Sequence, residues 1–294
     1  MLSTFTELFQ DVLDRAGENL ADTSGDFYVA AQRATVRGYR ELCNRHPFLF
    51  LRAPQPAAFV TVAPYAAGLV TLTGGSATAT FSIAPAVGLG SFAGRKFYPL
   101  SSSQGFYRIL THTAGSASFD LDVAWQGTDG AVPFTVYKDE YTLTTPYSGG
   151  TLRHLLGIYS AQDGREIELI SEEKLREDWP EPRTGADEPL RAARIGMTGI
   201  RLSHYPTVAR RYEVPHTLYP PDLDGVGVTI LVPTPYRQLI ADAGLYFLHA
   251  MRNDNRADGA GVLFGKGVEI LIVEDGRLKQ ALNGPRYPTT GPYR

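Results

Sequence analysis

The chain has a single cysteine, Cys43, among its 294 residues. No disulfide can form within it, and a four-cysteine zinc site inside the chain is excluded; Cys43 reads as a small buried apolar residue of a helix. It has no run of about 18 apolar residues, so no membrane-spanning helix and no membrane partner are expected. Its first residues lack a basic segment followed by an apolar stretch, which predicts a protein made and kept in a cytosol. Cationic excess is missing too: 28 Lys and Arg against 31 Asp and Glu give a net charge of −3. A surface built to neutralise phosphates is normally basic, so any contact with DNA is expected to be blind to sequence.

Catalytic signatures are equally scarce. Gly265-Lys266 lacks the glycine at position 260 and the hydroxyl after the lysine that a phosphate loop needs, because Ala260 and Gly267 stand there. Gly88 and Gly90 have a G-x-G spacing, but no βαβ pattern surrounds them. Ser171 and Lys174 match S-x-x-K without the S-D-N or K-T-G partners, and helix capping explains the serine. The six histidines never fall at i, i+4 on one helix and H-E-x-x-H is absent, so no metal site is expected from a distant pair such as His204 and His216. Asp222 and Asp224 begin a calcium-like ladder that lacks its downstream glutamate, which leaves an Asx turn. Asp120 and Asp122 share one face of a strand and read as a solvated face. The expectation is no enzyme, no cofactor and no metal.

What is present is a chain rich in structure. With 43% hydrophobic residues it can bury roughly 75% of its unfolded surface; 30 Gly and 20 Pro indicate many turns. Thr4 and Glu7 form a capping box, and Phe5, Leu8, Phe9, Val12, Leu13 and Ala16 follow at helical spacing up to Gly17. A second helix is predicted over Asp26 to Arg45, with Phe27, Ala31, Ala34 and Leu42 along one side and Pro47 stopping it. Thr234 and Pro235 supply a cap and first-turn proline for a helix carrying Leu239, Ile240, Ala243, Tyr246, Phe247 and Ala250 inward.

From Phe48 the hydrophobic period changes from 3.6 to 2. Leu69 to Thr73 and Ser76 to Phe81 flank Gly74-Gly75, a hairpin turn that needs positive φ. Further strands are predicted at 95–100, 106–113, 118–125, 133–136 and 152–159, with a long loop over 84–94. Their spacing indicates a sandwich or barrel. Ser171 caps a short helix ended by Trp179-Pro180, and 181–188 reads as an exposed connection. An apolar-alternating strand ends at Tyr205-Pro206, and another carries Arg210 to Glu213. The segment around Phe264, Val268, Leu271 and Ile272 fits a helix or, through Val268, Ile270 and Ile272, a strand. The tail after Asn283 has prolines and glycines that forbid regular structure.

The order of these elements from Gly196 to Tyr246 resembles the head-to-tail adaptor (connector) proteins of tailed bacteriophages. Arg37 to Arg40, Pro47 to Leu49, Gly68 to Ser76, Gly94 to Phe97, Phe106 to Ile109 and Asp139 to Tyr141 are similar to segments of the same family. The resemblance implies an α+β fold, in which N-terminal helices (1–48) and C-terminal helices (232–282) form a bundle. A large antiparallel β domain (49–170) is inserted, followed by a short helix, an exposed connection and returning strands (171–231), with an extended tail (283–294). It implies helix for the ambiguous segment. The first helix and the Thr234 to Arg252 helix each present an apolar stripe that neither can bury alone, so they are expected to pack together, with a bundle core containing Phe5, Leu8, Phe9, Val12, Leu239, Ala243 and Phe247. It also implies a dodecameric ring in the neck of the virion, assembled in the host cytoplasm. That ring would sit between portal protein and a downstream tail or nozzle protein, with double-stranded DNA passing through. A portal contact is expected from the tail residues Arg286, Tyr287, Tyr293 and Arg294. The alternative reading is another tail component, such as a tube, stopper or baseplate protein.

Overall fold

The computed structural model describes residues 2, 4–18, 25–100, 105–145, 151–180, 185–186, 188–223 and 229–282. The architecture is α+β, with two compact units. One unit is formed by Met1–Pro54, Tyr147–His154 and Thr217–Arg294, the other by Gln55–Pro146 and Leu155–His216.

The first unit contains helices α1 (Phe5–Ala16) and α2 (Asp26–Arg45). Thr4 Oγ1 accepts from the Glu7 amide at 3.2 Å while the Glu7 carboxylate accepts from the Thr4 amide at 3.1 Å, so the expected capping box is present. Gly17 closes α1 in the left-handed region, at φ 81°. Leu8, Phe9, Val12, Leu13 and Ala16 are buried, as are Ala31, Ala34, Tyr39, Leu42 and Cys43 of α2. Phe27 departs from the expected inward stripe: it is 45% exposed, and the Arg252 guanidinium lies 4.1 Å from its ring centroid.

Further along, α3 (Glu172–Asp178) belongs to the second unit, whereas α4 (Gln238–Met251) and α5 (Arg256–Leu282) belong to the first. Thr234 does not cap α4, because Thr234–Tyr236 forms a 3₁₀ turn without a side-chain cap bond and α4 begins four residues later. Helix α4 packs against α1, α2 and α5 around one hydrophobic core. This central place explains why eight of its residues are buried, Ala243 and Phe247 among them; Ala250, expected inward, is exposed. Leu239 and Phe5 are partly buried against the same core. The ambiguous segment is helical: Phe264, Val268 and Leu271 reach that core from α5.

The second unit carries two seven-stranded sheets. One is wholly antiparallel, in the order Gly130–Val132, Val70–Leu72, Thr78–Phe81, Ser118–Leu121, Tyr107–His112, Lys96–Pro99, Phe134–Tyr137. The predicted hairpin sets its register, with Val70 opposite Phe81 and Gly75 at φ 75°. Alternation delivers Phe81, Phe97, Phe119 and Phe134 to one core, where the Phe81 and Phe119 rings stack at 4.3 Å. The strand expected over 118–125 ends at Leu121, because the Asp122 carboxylate accepts from the Arg108 amide at 2.9 Å and the chain turns.

The other sheet runs Ala57–Val60, Arg211–Val214, Ile158–Ser160, Glu166–Ile170, Arg191–Ile195, Gly199–Leu202, Glu140–Thr142. It is mixed rather than antiparallel, since Glu166–Ile170 pairs in parallel with Arg191–Ile195. Helix α3 lies in the connection that such a crossover needs. The strand expected over 152–159 is two strands: Leu152–Leu155 pairs with His216–Leu218, and Ile158–Ser160 joins the larger sheet. Gly157 makes the break, and a Cβ there would sit 2.6 Å from the Tyr159 ring. Within the expected exposed connection, Gly185–Ala186 pairs in parallel with Tyr205–Pro206.

Candidate functional site

Charge buried away from water is where chemistry would first be sought. In the second unit, the strand Lys96–Pro99 turns Lys96 inward beside the end of Phe134–Tyr137, and Asp139 follows that strand. Lys96 Nζ lies 2.7 Å from Asp139 Oδ2 and 3.5 Å from Glu140 Oε1. Arg201 Nε is 3.6 Å from the same Asp139 oxygen, while its Nη2 donates to the Trp179 and Pro180 carbonyls at 3.2 and 2.8 Å. Burial alone would raise the Glu140 pKa, but Lys96, Arg108 and Arg201 overcome it and hold the carboxyl below its usual range. Lys96 and Asp139 are only 3% and 0% exposed. No substrate atom can reach the ammonium, and the cluster ties two strand ends to the segment after α3.

A second cluster lies in the first unit. Asp275 of α5 accepts from the Leu49 amide and Lys279 Nζ, each at 2.7 Å, and lies 3.0 Å from His46 Nε2. The aspartate therefore anchors the turn after α2 to α5. Its role is to satisfy a part-buried backbone donor.

The motifs singled out in the sequence resolve into local structure. Ser171 Oγ accepts from the Lys174 amide at 3.2 Å as a helix cap. Gly88 lies in a 3₁₀ turn and Gly90 closes it at φ 70°. Lys266 is exposed on α5. Ser203 Oγ is 3.0 Å from His204 Nδ1, but Ser203 is fully buried. His216 is buried against the Val214 carbonyl, and among the described residues no group of three or more His, Cys, Asp or Glu could hold a metal. Asp120 accepts from the Thr111 and Thr78 hydroxyls at 2.6 and 2.9 Å, which lowers its pKa and disqualifies it as a general acid near neutrality. Asp222 pairs with Arg40, and Asp224 lies outside the described residues. Burial pushes the Cys43 thiol up to about 12, which leaves it inert. Arg286, Tyr287, Tyr293 and Arg294 also lie outside the described residues.

One surface feature was missed in the sequence. Phe5, Gln32, Arg33, Val36, Arg37 and Arg40 line a hollow beside α1 and α2. Arg37 lies 4.3 Å from the Phe247 ring centroid and Arg40 pairs with Asp222, and all three arginines of the hollow are exposed. The i, i+4, i+7 spacing of the arginines is the signal that marks this face. Such an apolar floor with cationic edges suits acidic groups of a protein better than a reaction centre. No protein-family model matches the chain, and no curated protein is similar to it in sequence.

Proposed function

We propose that the chain is a structural virion protein, a head-to-tail adaptor that forms a dodecameric ring beneath the portal and lines the channel through which DNA leaves the capsid. One observation carries the reading: helices from distant parts of the sequence, α1 and α2 with α4 and α5, share a single core, while the two-sheet unit is inserted between them in the sequence. The helical-bundle arrangement with an inserted β domain belongs to this proposal.

The chemistry of the surface agrees with it. A net charge of −3 suits a conduit that DNA passes without adhering. The buried charge clusters around Asp139 and Asp275 are tied into the fold, which favours a part that transmits position over an enzyme. The proposed portal contact is made by Arg286, Tyr287, Tyr293 and Arg294.

The test is to mix the purified chain with portal protein and record its mass and its negative-stain image. A ring of twelve copies on the portal is expected; a chain that stays off the portal at tens of micromolar would sink the reading. Removing residues 284–294 should sharply reduce co-sedimentation with portal, and undiminished binding would move the contact elsewhere on the chain.

A further inference from the structure

Helix α5 presents two different faces. Ala260, Phe264, Val268 and Leu271 bury one against α4 and its neighbours. On the other, Val262 is 55% exposed, Val273 54%, Leu263 58% and Ile270 61%. An apolar face of this extent, opposite a face already buried, calls for a second partner.

The sequence of that outer face says what the partner is. Gly259, Val262, Lys266, Glu269, Val273 and Gly276 follow one another at spacings of three, four, three, four and three, the seam of a two-helix contact. The series is a palindrome in chemistry about the midpoint between Gly267 and Val268. Antiparallel pairing about that point sets Gly259 against Gly276, Val262 against Val273 and Lys266 against Glu269 of the other helix. Just beside the seam, Asp258 meets Arg277 in the same register. Parallel pairing would instead stack Lys266 on Lys266 and Glu269 on Glu269.

We infer that α5 pairs antiparallel, about a two-fold axis, with α5 of a second copy of this chain. An isologous contact requires a surface complementary to itself, and this stripe meets that condition in both shape and charge. A Cβ placed on Gly259 or Gly276 has nothing within 4 Å, so two backbones can approach closely at both ends of the seam. Among the described residues Asp258, Lys266, Glu269 and Arg277 make no ion pair, and the antiparallel register sets each of them opposite its counter-charge across the axis. The seam from Asp258 to Arg277 is about 30 Å long at 1.5 Å per residue. That is a small interface by the standard of permanent complexes, so a dissociation constant on the order of 10 µM is expected. The inference goes beyond the adaptor reading and does not rest on it, because it concerns the chain free of any other protein.

Sedimentation equilibrium of the full chain, from about 1 to 200 µM, tests it by mass action. The mass should rise from 32.1 kDa toward twice that value and stop. Lys266→Glu alone and Glu269→Lys alone should each weaken pairing about tenfold, because each sets like charges opposite one another across the axis. The double variant should restore it, and so should mixing the two single variants. Orientation is read by oxidation: Gly259→Cys with Gly276→Cys in one chain should give a covalent dimer, whereas neither change alone should. A chain that stays monomeric at 200 µM, single charge variants that pair as well as the parent, or a crosslink from Gly259→Cys alone would each overturn the inference.

Discussion

A Cβ atom on Gly38 would lie 2.8 Å from the Cβ of Ala243 and 2.8 Å from the backbone nitrogen of Gly244, so α2 and α4 meet with no room for a methyl group between them. Backbone cannot swing aside as a long side chain does. Gly38→Ala would gain about 1 kcal/mol in helix propensity. It would lose about 1 to 3 kcal/mol to overpacking. A net loss is expected in urea titration, and a more stable variant would show that α2 and α4 do not approach this closely at Gly38.

Phe9 is 2% exposed, and its ring meets those of Phe5 and Tyr28 edge-on at 5.3 and 5.0 Å. Truncation leaves a cavity that rigid neighbours on α2 and α4 close only in part. Phe9→Ala should cost about 3 to 5 kcal/mol. A measured loss below about 1 kcal/mol would remove Phe9 from the core.

These helices were legible in the sequence because their signals are local. The box of Thr4 and Glu7, the apolar spacing up to Ala16 and the left-handed Gly17 need no knowledge of the rest of the chain. Gly74-Gly75 announced its hairpin for the same reason. Phe27 and Ala250 failed because periodicity gives a face and not its width: Tyr28 rather than Phe27 packs against the core, and Ala250 turns outward directly after the buried Leu248 and His249. The parallel pairing of Glu168 with Arg191 was beyond local reading, since register across a helical crossover is decided by packing. Charge clusters were the least visible. Lys96, Asp139 and Arg201 look like ordinary surface residues until strand alternation and three separate segments bring them together.

The Lys96–Asp139 pair should behave as a coupled unit. Lys96→Met leaves a fully buried carboxylate whose remaining cationic partner among the described residues is Arg201, at 3.6 Å. Loss of one partner from a buried pair costs about 3 to 5 kcal/mol. Asp139→Asn should be costly alone and much less so in the Lys96→Met background. A double-mutant cycle that closes to within about 0.5 kcal/mol would show that the two side chains do not interact.

Asp275 makes the stability of the first unit depend on acid. Burial by itself would raise its pKa, but the Leu49 amide, then Lys279 and His46, more than offset that and hold it below the ordinary value of 3.8. The folded chain thus binds this proton less readily than the unfolded chain. Its contribution is fully present above the unfolded value and is lost as pH falls through the folded one. Asp275→Asn keeps the shape but gives up the charge-assisted bonds, so at pH 7 it should be less stable by about 1 to 2 kcal/mol. Denaturant titrations of both proteins from pH 7 to pH 3 should converge as the wild-type carboxylate is protonated, beginning near pH 4. Curves that remain parallel across that range would show that Asp275 carries no depressed pKa, and that its hold on Leu49 is a matter of shape alone.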